Sequence, residues 1–177
     1  LLQQKHYKKI TITEIVKQSK ISRVTFYNHF ESKDELFIEM IDDVMKDLII
    51  CYRKPYENLM IFTINDIKPS MLMLFEHVYK HSEFYSTVMK SDILIYLQNR
   101  MIEELKTLTL QDFNMINTNI NREIYAEWYA YAIYGLILEW IKKGYPHSPI
   151  YMAEQLIDLV KIIPIKRVNR KSRYKYT

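Results

Sequence analysis

The chain contains 177 residues, of which 49% are apolar and only two, Gly135 and Gly144, are glycine. This composition excludes glycine-rich nucleotide-binding loops and glycine-dependent β-hairpins, and a single cysteine, Cys51, excludes a disulfide framework. The net charge of +4 is unevenly distributed, because residues 1–30 carry six Lys or Arg against one Glu and residues 161–177 carry seven against none. A basic head on an acidic body is typical of proteins that bind nucleic acid through the head.

Three short helices are predicted at the N-terminal end, the first of them truncated. Thr11 and Glu14 form a capping box that opens the second helix, and Ser22 caps the third. A tight turn joins the second helix to the third, which is the pattern of a helix-turn-helix. The three predicted helices cover residues 1–8, 12–19 and 23–29.

The rest of the chain carries helical apolar patterns separated by Pro, Asn and Ser clusters. A second capping box, Ser32 with Glu35, opens a long helix that ends near Pro55. Gly144 is predicted to terminate a helix that is apolar on almost every side. Further helices are predicted to begin at Asn65–Ser70, at Ser91-Asp92, at Arg122 and at Ser148-Pro149, the last two spanning 122–143 and 148–163.

The chain is therefore predicted to be all-α and to divide into three parts. Residues 1–50 form a helix-turn-helix domain with the start of a connecting helix, residues 51–163 form a second helical domain, and residues 164–177 form a basic tail. The longest uncharged stretch of the most apolar region, 128–138, is shorter than the roughly 20 residues of a membrane span. We therefore expect a cytoplasmic protein without a membrane partner.

The third helix has an apolar face and an opposite polar face. Phe26 and Phe30 lie together at i, i+4 spacing and should face the core of the head. On the opposite face, Val24 can meet a thymine methyl group and Asn28 can pair with adenine. Lys33, at the start of the next helix, can meet a phosphate through its ammonium and nearby backbone N–H groups. The predicted outward face comprises Val24, Thr25, Tyr27 and Asn28.

The stretch 10–37, ITITEIVKQSKISRVTFYNHFESKDELF, resembles the DNA-binding domain of the TetR/AcrR family of bacterial transcriptional regulators. Its most specific part, SRVTFYNHF followed by SKDEL, is close to the family pattern S-x-x-T-F/L-Y-x-H-F-x-S/N-K-x-x-L. Many members have glycine in the turn where this chain has Lys20, and a left-handed backbone there costs lysine about 1 kcal/mol. The resemblance implies phosphate contacts from Tyr27 and Lys33, and the whole predicted DNA-binding set is Thr11, Thr13, Arg23, Val24, Thr25, Tyr27, Asn28, His29 and Lys33.

The resemblance further implies a dimeric regulator, a repressor by expectation, that binds a pseudo-palindromic operator in double-stranded DNA. Residues 51–163 would then be its regulatory and dimerisation domain. Since 122–143 is apolar on more faces than one subunit can cover, we expect helices 122–143 and 148–163 of two subunits to form a four-helix bundle. A small-molecule inducer in the body would release the operator. The candidate pocket residues are Phe75, Tyr79, Tyr96, Met101, Trp128 and Tyr129.

Other classes of function are weaker on sequence grounds. Glu76, His77 and His81 can supply metal ligands, but no further ligand motif accompanies the i, i+4 histidines, so we expect no metal site and no cofactor. No catalytic set of side chains has a recognisable context, so we expect no enzyme activity. The alternative keeps the fold and makes the body a sensor of a protein partner or of no ligand, acting as an adaptor or co-regulator.

Overall fold

A computed structural model describes residues 1–56, 68–112 and 120–161 of the chain. These residues form helices and turns and contain no strand, which confirms the all-α prediction. The predicted basic tail, 164–177, lies outside the described residues. The helices are α1 (Ile12–Ser19), α2 (Arg23–Tyr27), α3 (Lys33–Arg53), α4 (Lys68–Lys80), α5 (Ser82–Met89), α6 (Leu94–Asp112), α7 (Arg122–Lys142) and α8 (Pro149–Lys161).

Most of the predicted helix ends are present. The Thr11 hydroxyl accepts from the backbone N–H of Glu14 while the Glu14 carboxylate accepts from the N–H of Thr11, so the capping box is complete. The Ser22 hydroxyl accepts from the N–H of Thr25 at 2.9 Å and caps α2. Ser148 does the same for the start of α8. These local signals therefore fix where the helices begin.

Two helices end in the same left-handed motif, one with glycine and one with lysine. Gly144 has a φ of 73° and donates to the carbonyl of Ile141 after α7. Lys20 adopts φ 57° and ψ 36° after α1, and its N–H bonds back to Lys17. The next N–H, that of Ile21, reaches the carbonyl of Val16 at 3.0 Å, completing a Schellman motif. Lys20 thus occupies a conformation that glycine adopts without strain.

The first predicted helix is wrong: residues 1–9 form a turn and a single 3-10 turn, Tyr7–Lys9. His6 is extended, with ψ at 141°, and the N–H of Tyr7 donates to the Asp92 carboxylate at 3.1 Å. Since that N–H bonds to a side chain of the body, it is unavailable to an α-helical ladder. The N-terminal segment instead ties the head to the loop before α6.

Two predicted caps differ from expectation. The Glu35 carboxylate accepts from the N–H of Glu31 and not from that of Ser32, so only the Ser32 half of the second capping box forms. Ser91 does not cap α6, because its hydroxyl donates to the carbonyl of Val88 at 2.6 Å. Serine hydroxyls compete for nearby backbone groups in this way. The Ser91 hydroxyl therefore bonds to the end of α5, although it was expected to bond to the start of α6.

One face of α3 contributes to the helical core along the whole helix, because its buried residues recur at helical spacing. In the body, α4 packs against α3 and α8, and α6 packs against α3 and α7, while α5 packs on α7. Arg100 of α6 reaches Asp42 of α3 at 2.7 Å and Glu104 at 2.6 Å, which adds an ion-pair network to that contact. The buried residues of α3 are Phe37, Ile41, Met45, Leu48 and Tyr52.

Within the described ranges, no helix combines the length and apolar character that crossing a bilayer requires.

Because Lys20 is left-handed, replacing it with glycine should change the free energy of unfolding in the opposite direction from replacing Lys17 with glycine. Lys20→Gly should raise the free energy of unfolding by about 1 kcal/mol, because glycine removes the Cβ penalty of this conformation. Lys17→Gly, an equally exposed lysine inside α1, should lower it by about 1 kcal/mol because glycine weakens a helix interior. Urea unfolding followed by circular dichroism measures both. A loss of stability in Lys20→Gly would contradict the assigned turn.

Candidate DNA interface

The second helix of the head, α2, is fixed from behind by aromatic packing. Phe26 is 1% exposed, and its ring lies 5.6 Å from that of Phe30. Tyr27 packs edge-on against Phe26 with ring centres 5.5 Å apart. Because α2 has only five residues, propensity alone cannot hold it helical, and this packing supplies its stability. The predicted core role of Phe26 agrees with its burial.

The opposite face of α2 is open to solvent. Val24 is 70% exposed and Tyr27 is 55% exposed. Arg23, Thr25, Asn28 and His29 are also exposed, so all six side chains that the predicted helix 23–29 contributes to the DNA-binding set lie on the surface. Asn28 is the C-terminal cap of α2, and its backbone N–H donates to the carbonyl of Val24 at 2.9 Å. Its side-chain amide lies on the surface.

Polar contacts bring residues from both helices to one edge of this face. The Arg23 guanidinium donates to the hydroxyl of Thr13, so the first turns of α1 and α2 meet there. The hydroxyls of Ser22 and Thr25 lie 2.8 Å apart. Thr11 and Thr13, at the start of α1, are exposed beside them. The structure thus places Thr13 and Arg23 in direct contact.

Lys33 is held by the N-terminal segment. Its ammonium donates to the carbonyls of Tyr7 and Ile10, both at 2.9 Å, and approaches that of Lys8 at 3.4 Å. The same ammonium lies 4.5 Å from the centre of the Tyr7 ring. The side chain of Lys33 therefore clamps the segment before α1 onto α3. The groups left to face an anion are the first two backbone N–H groups of α3, those of Lys33 and Asp34, because that of Glu35 donates to the Ser32 hydroxyl.

Tyr7 contributes to the position of Lys33 and was not identified from the sequence. Its ring packs on Phe37 at 5.1 Å, and its hydroxyl bonds to the Asp34 carboxylate. Burial and the neighbouring Asp34 raise the pKa of this hydroxyl. The only available signal was an aromatic residue among lysines, which does not reveal a partner 26 residues away.

The electrostatics of the head favour an anionic partner. Glu14, the only acidic residue among 1–30, accepts from the ammonium of Lys5 and from the backbone and hydroxyl of Thr11, which together lower the pKa of its carboxyl to about 2. The charge of this carboxylate is thus balanced by Lys5 within the head. Lys17 and Lys20 are exposed.

The six candidate ligand-pocket residues have different surroundings. Phe75, Met101 and Tyr129 are buried in the core, and Tyr96 is half-buried beside it. Tyr79 and Trp128 are 51% and 61% exposed. A ligand cavity formed by this set therefore remains a prediction.

Comparison with known proteins agrees with this arrangement. Residues 1–40 match the model of "Bacterial regulatory proteins, tetR family", and residues 65–162 match the model of "Transcriptional regulator C-terminal region". The second match covers α4 to α8, so the head and the body are matched separately.

Two relatives come from Bacillus subtilis (strain 168), both uncharacterized HTH-type transcriptional regulators. YxbF is 23% identical over 162 residues, which are 90% of this chain and 42% of that protein. YuxN is 27% identical over 104 residues, which are 55% of this chain and 33% of that protein. The chain thus spans less than half the length of either relative. One family model matches the N-terminal region and another matches more than half of the chain, so the chain belongs to the TetR family of bacterial regulatory proteins.

Proposed function

We propose that the protein is a cytoplasmic transcriptional regulator, acting as a repressor, that binds an operator in double-stranded DNA by inserting α2 into the major groove. The observation that carries this proposal is the exposed outer face of α2, with Val24 and Tyr27 more than half exposed while Phe26 behind them is buried. The body leaves this face accessible. A rigid helix with an accessible polar face is the element that the major groove admits.

The side chains of this face divide between base reading and positioning. Asn28 reads adenine through its amide, and Val24 contacts a thymine methyl group. Tyr27 donates to a phosphate, as does the first turn of α3 through its backbone N–H groups at Lys33. Thr11, Thr13, Arg23, Thr25 and His29 complete the contact surface around them.

A second copy of the chain is proposed to cover α7. Its outer face carries Ile124, Trp128 and Tyr131, which are 65%, 61% and 58% exposed at i, i+4, i+7 spacing. Gly135 continues this row, and a Cβ added there meets no described atom within 4 Å. Packing within one protomer therefore does not require glycine, which costs a helix interior about 1 kcal/mol. The close approach of a helix from a second copy explains why glycine occupies this position.

The dimer, completed by α8, places two heads on one side of a duplex. Two recognition helices about 34 Å apart, or a multiple of that, enter successive major grooves of a pseudo-palindrome. A small molecule bound in the body, among the candidate pocket residues, would stabilise a body conformation with a different head spacing and so weaken operator binding. The helix that transmits the change is α3, since it begins in the head and is buried in the body.

Two neighbouring substitutions on α2 test DNA reading. Duplexes are first selected from random sequence with the parent protein, and a pseudo-palindrome is expected. Asn28→Ala should lose about 10-fold to 100-fold affinity for the selected operator and accept other base pairs at one position of each half-site. Tyr27→Phe, which removes only a hydroxyl, should weaken all duplexes equally, by about 5-fold. Fluorescence anisotropy on a panel of operator variants measures both.

Each outcome separates the roles of these residues. A changed sequence preference in Tyr27→Phe would contradict the assignment of Tyr27 to a phosphate. An unchanged preference in Asn28→Ala would contradict the assignment of Asn28 to a base. Failure of the parent to select any duplex sequence would contradict the proposed function itself. Both side chains are exposed, so the stability of the variants should stay within about 0.5 kcal/mol of the parent.

The dimer interface predicts that charge on α7 separates the subunits. The double variant Trp128→Glu/Tyr131→Glu should raise the dimer dissociation constant at least about 100-fold, because two large aromatic anchors are lost and two like charges face their copies. Ile95→Glu, a 60% exposed apolar residue of α6, is the matched control and should remain dimeric. Sedimentation equilibrium measures both. A monomeric parent at micromolar concentration would refute the interface.

A further inference from the structure

Four side chains with metal-binding chemistry meet where α3 packs against α4. Asp47 and Cys51 lie one turn apart on α3. His77 lies in the last turn of α4 and His81 follows one turn later. The ligand atoms of Asp47, Cys51 and His77 all lie within 4.8 Å of one another. These three residues thus form one group, and His81 lies beside it through its contact with Asp47.

The distances within this cluster are close to those of a tetrahedral site. Asp47 Oδ2 lies 3.3 Å from His77 Nδ1 and 3.6 Å from His81 Nε2. Ligands bonded to zinc at 2.0–2.3 Å are separated from one another by about 3.4–3.7 Å along the edges of a tetrahedron. Two edges therefore have about the right length, and the Cys51 sulfur, which lies within 4.8 Å of the Asp47 and His77 ligand atoms, would move closer to them around a bound ion.

The two histidines lie at ion-pair distance from the Asp47 carboxylate, but the contacts do not have hydrogen-bond geometry. The side chain of His77 is 1% exposed, and neither of its nitrogens makes a hydrogen bond within the described residues; the same holds for His81 Nε2. A buried nitrogen without a hydrogen bond is destabilising, and a metal ion would use its lone pair.

We propose that Asp47, Cys51, His77 and His81 bind one divalent transition-metal ion, with Zn²⁺ as the best fit. One thiolate, two imidazoles and one carboxylate are ligands that zinc accepts together, whereas Mg²⁺ and Ca²⁺ require oxygen. Because four protein ligands fill a tetrahedral ion, the site is structural or regulatory and has no open position for catalysis. Binding releases the Cys51 thiol proton to solvent.

The surroundings allow an ion to enter. The side chains of Asp47 and His81 are 48% and 30% exposed, while His77 forms the buried wall. Of the metal-ligand candidates in the sequence, Glu76 is exposed and is not part of this cluster. The proposal departs from the expectation of no metal site, because Asp47 and Cys51 supply the ligands that the histidine pair lacked.

Cobalt spectroscopy of the full chain tests the site. The tag-free, reduced protein is titrated with Co²⁺, and we expect one ion per chain, with a thiolate-to-cobalt charge-transfer band and the intense visible bands of tetrahedral coordination. Zn²⁺ should displace the cobalt. Cys51→Ser should abolish the charge-transfer band and weaken Zn²⁺ binding about 100-fold or more. His81→Gln should weaken it at least about 10-fold.

The matched control is His147→Gln, an exposed histidine outside the cluster, which should bind both ions as the parent does. Circular dichroism verifies that each variant is folded, and Cys51→Ser and His81→Gln are independent tests should one of them unfold. A parent without a charge-transfer band would overturn the proposal. So would a Cys51→Ser spectrum equal to that of the parent.

The site also predicts an effect on DNA binding, which rests on the proposed function. Since Asp47 and Cys51 belong to the helix that begins beside α2, a bound ion fixes α3 against α4 and selects one head position. Saturating Zn²⁺ should change operator affinity at least about 10-fold in the parent and leave Cys51→Ser unchanged. An unchanged affinity in the loaded parent would overturn the regulatory role alone. Absence of duplex binding with and without Zn²⁺ would instead overturn the proposed function, and the cobalt spectra are independent of both.

Discussion

The buried face of α3 passes from the head into the body without interruption. Phe37 packs against the N-terminal segment of the head through Tyr7, and Met45 and Leu48, each fully buried, lie in the core of the body. Moving the head relative to the body therefore means moving α3 within a close-packed core, where only a few discrete arrangements are tolerated. This constraint makes α3 a rigid connection, and every proposed link between body and DNA depends on it.

The clamp at Lys33 extends this rigidity to the segment before α1. With its ammonium bonded to the carbonyls of Tyr7 and Ile10, Lys33 joins the start of α3 to the segment leading into α1. The same segment reaches the body through the N–H of Tyr7 and Asp92. Releasing the ammonium to bind a phosphate would cost two charge-assisted hydrogen bonds. Backbone N–H groups are therefore the more economical phosphate ligands at this helix end.

What could be predicted from the sequence was largely local. Caps at Thr11, Ser22 and Ser148 were correct because each depends on residues within three or four positions of itself. The left-handed turn at Lys20 and the terminator Gly144 are local in the same sense. The cap predicted at Ser91 was wrong. Its hydroxyl can bond to backbone groups of α5 or of α6, and rules based on neighbouring residues do not say which it prefers.

Contacts between helices were not accessible in this way. The pair His77 and His81 is visible in the sequence, but its convergence with Asp47 and Cys51 depends on the packing of α3 on α4. The 3-10 turn at the N-terminus likewise depends on Asp92, far away in the chain. For the candidate DNA interface, an amphipathic wheel sufficed to place Val24 and Asn28 outside, since α2 has one buried side.

The two exposed faces, on α2 and on α7, call for partners of different chemistry. The face of α2 mixes Val24 with amide, hydroxyl and imidazole groups, which suits the donors, acceptors and methyl groups of base edges. The face of α7 is apolar across Ile124, Trp128 and Tyr131, and a surface of that kind is stabilised by another apolar surface. Specific protein–DNA interfaces bury about 1,000–2,500 Å² of protein, more than a helix of five residues can provide. Covering α7 with a second copy satisfies both needs, because it removes the apolar face from water and doubles the reading surface.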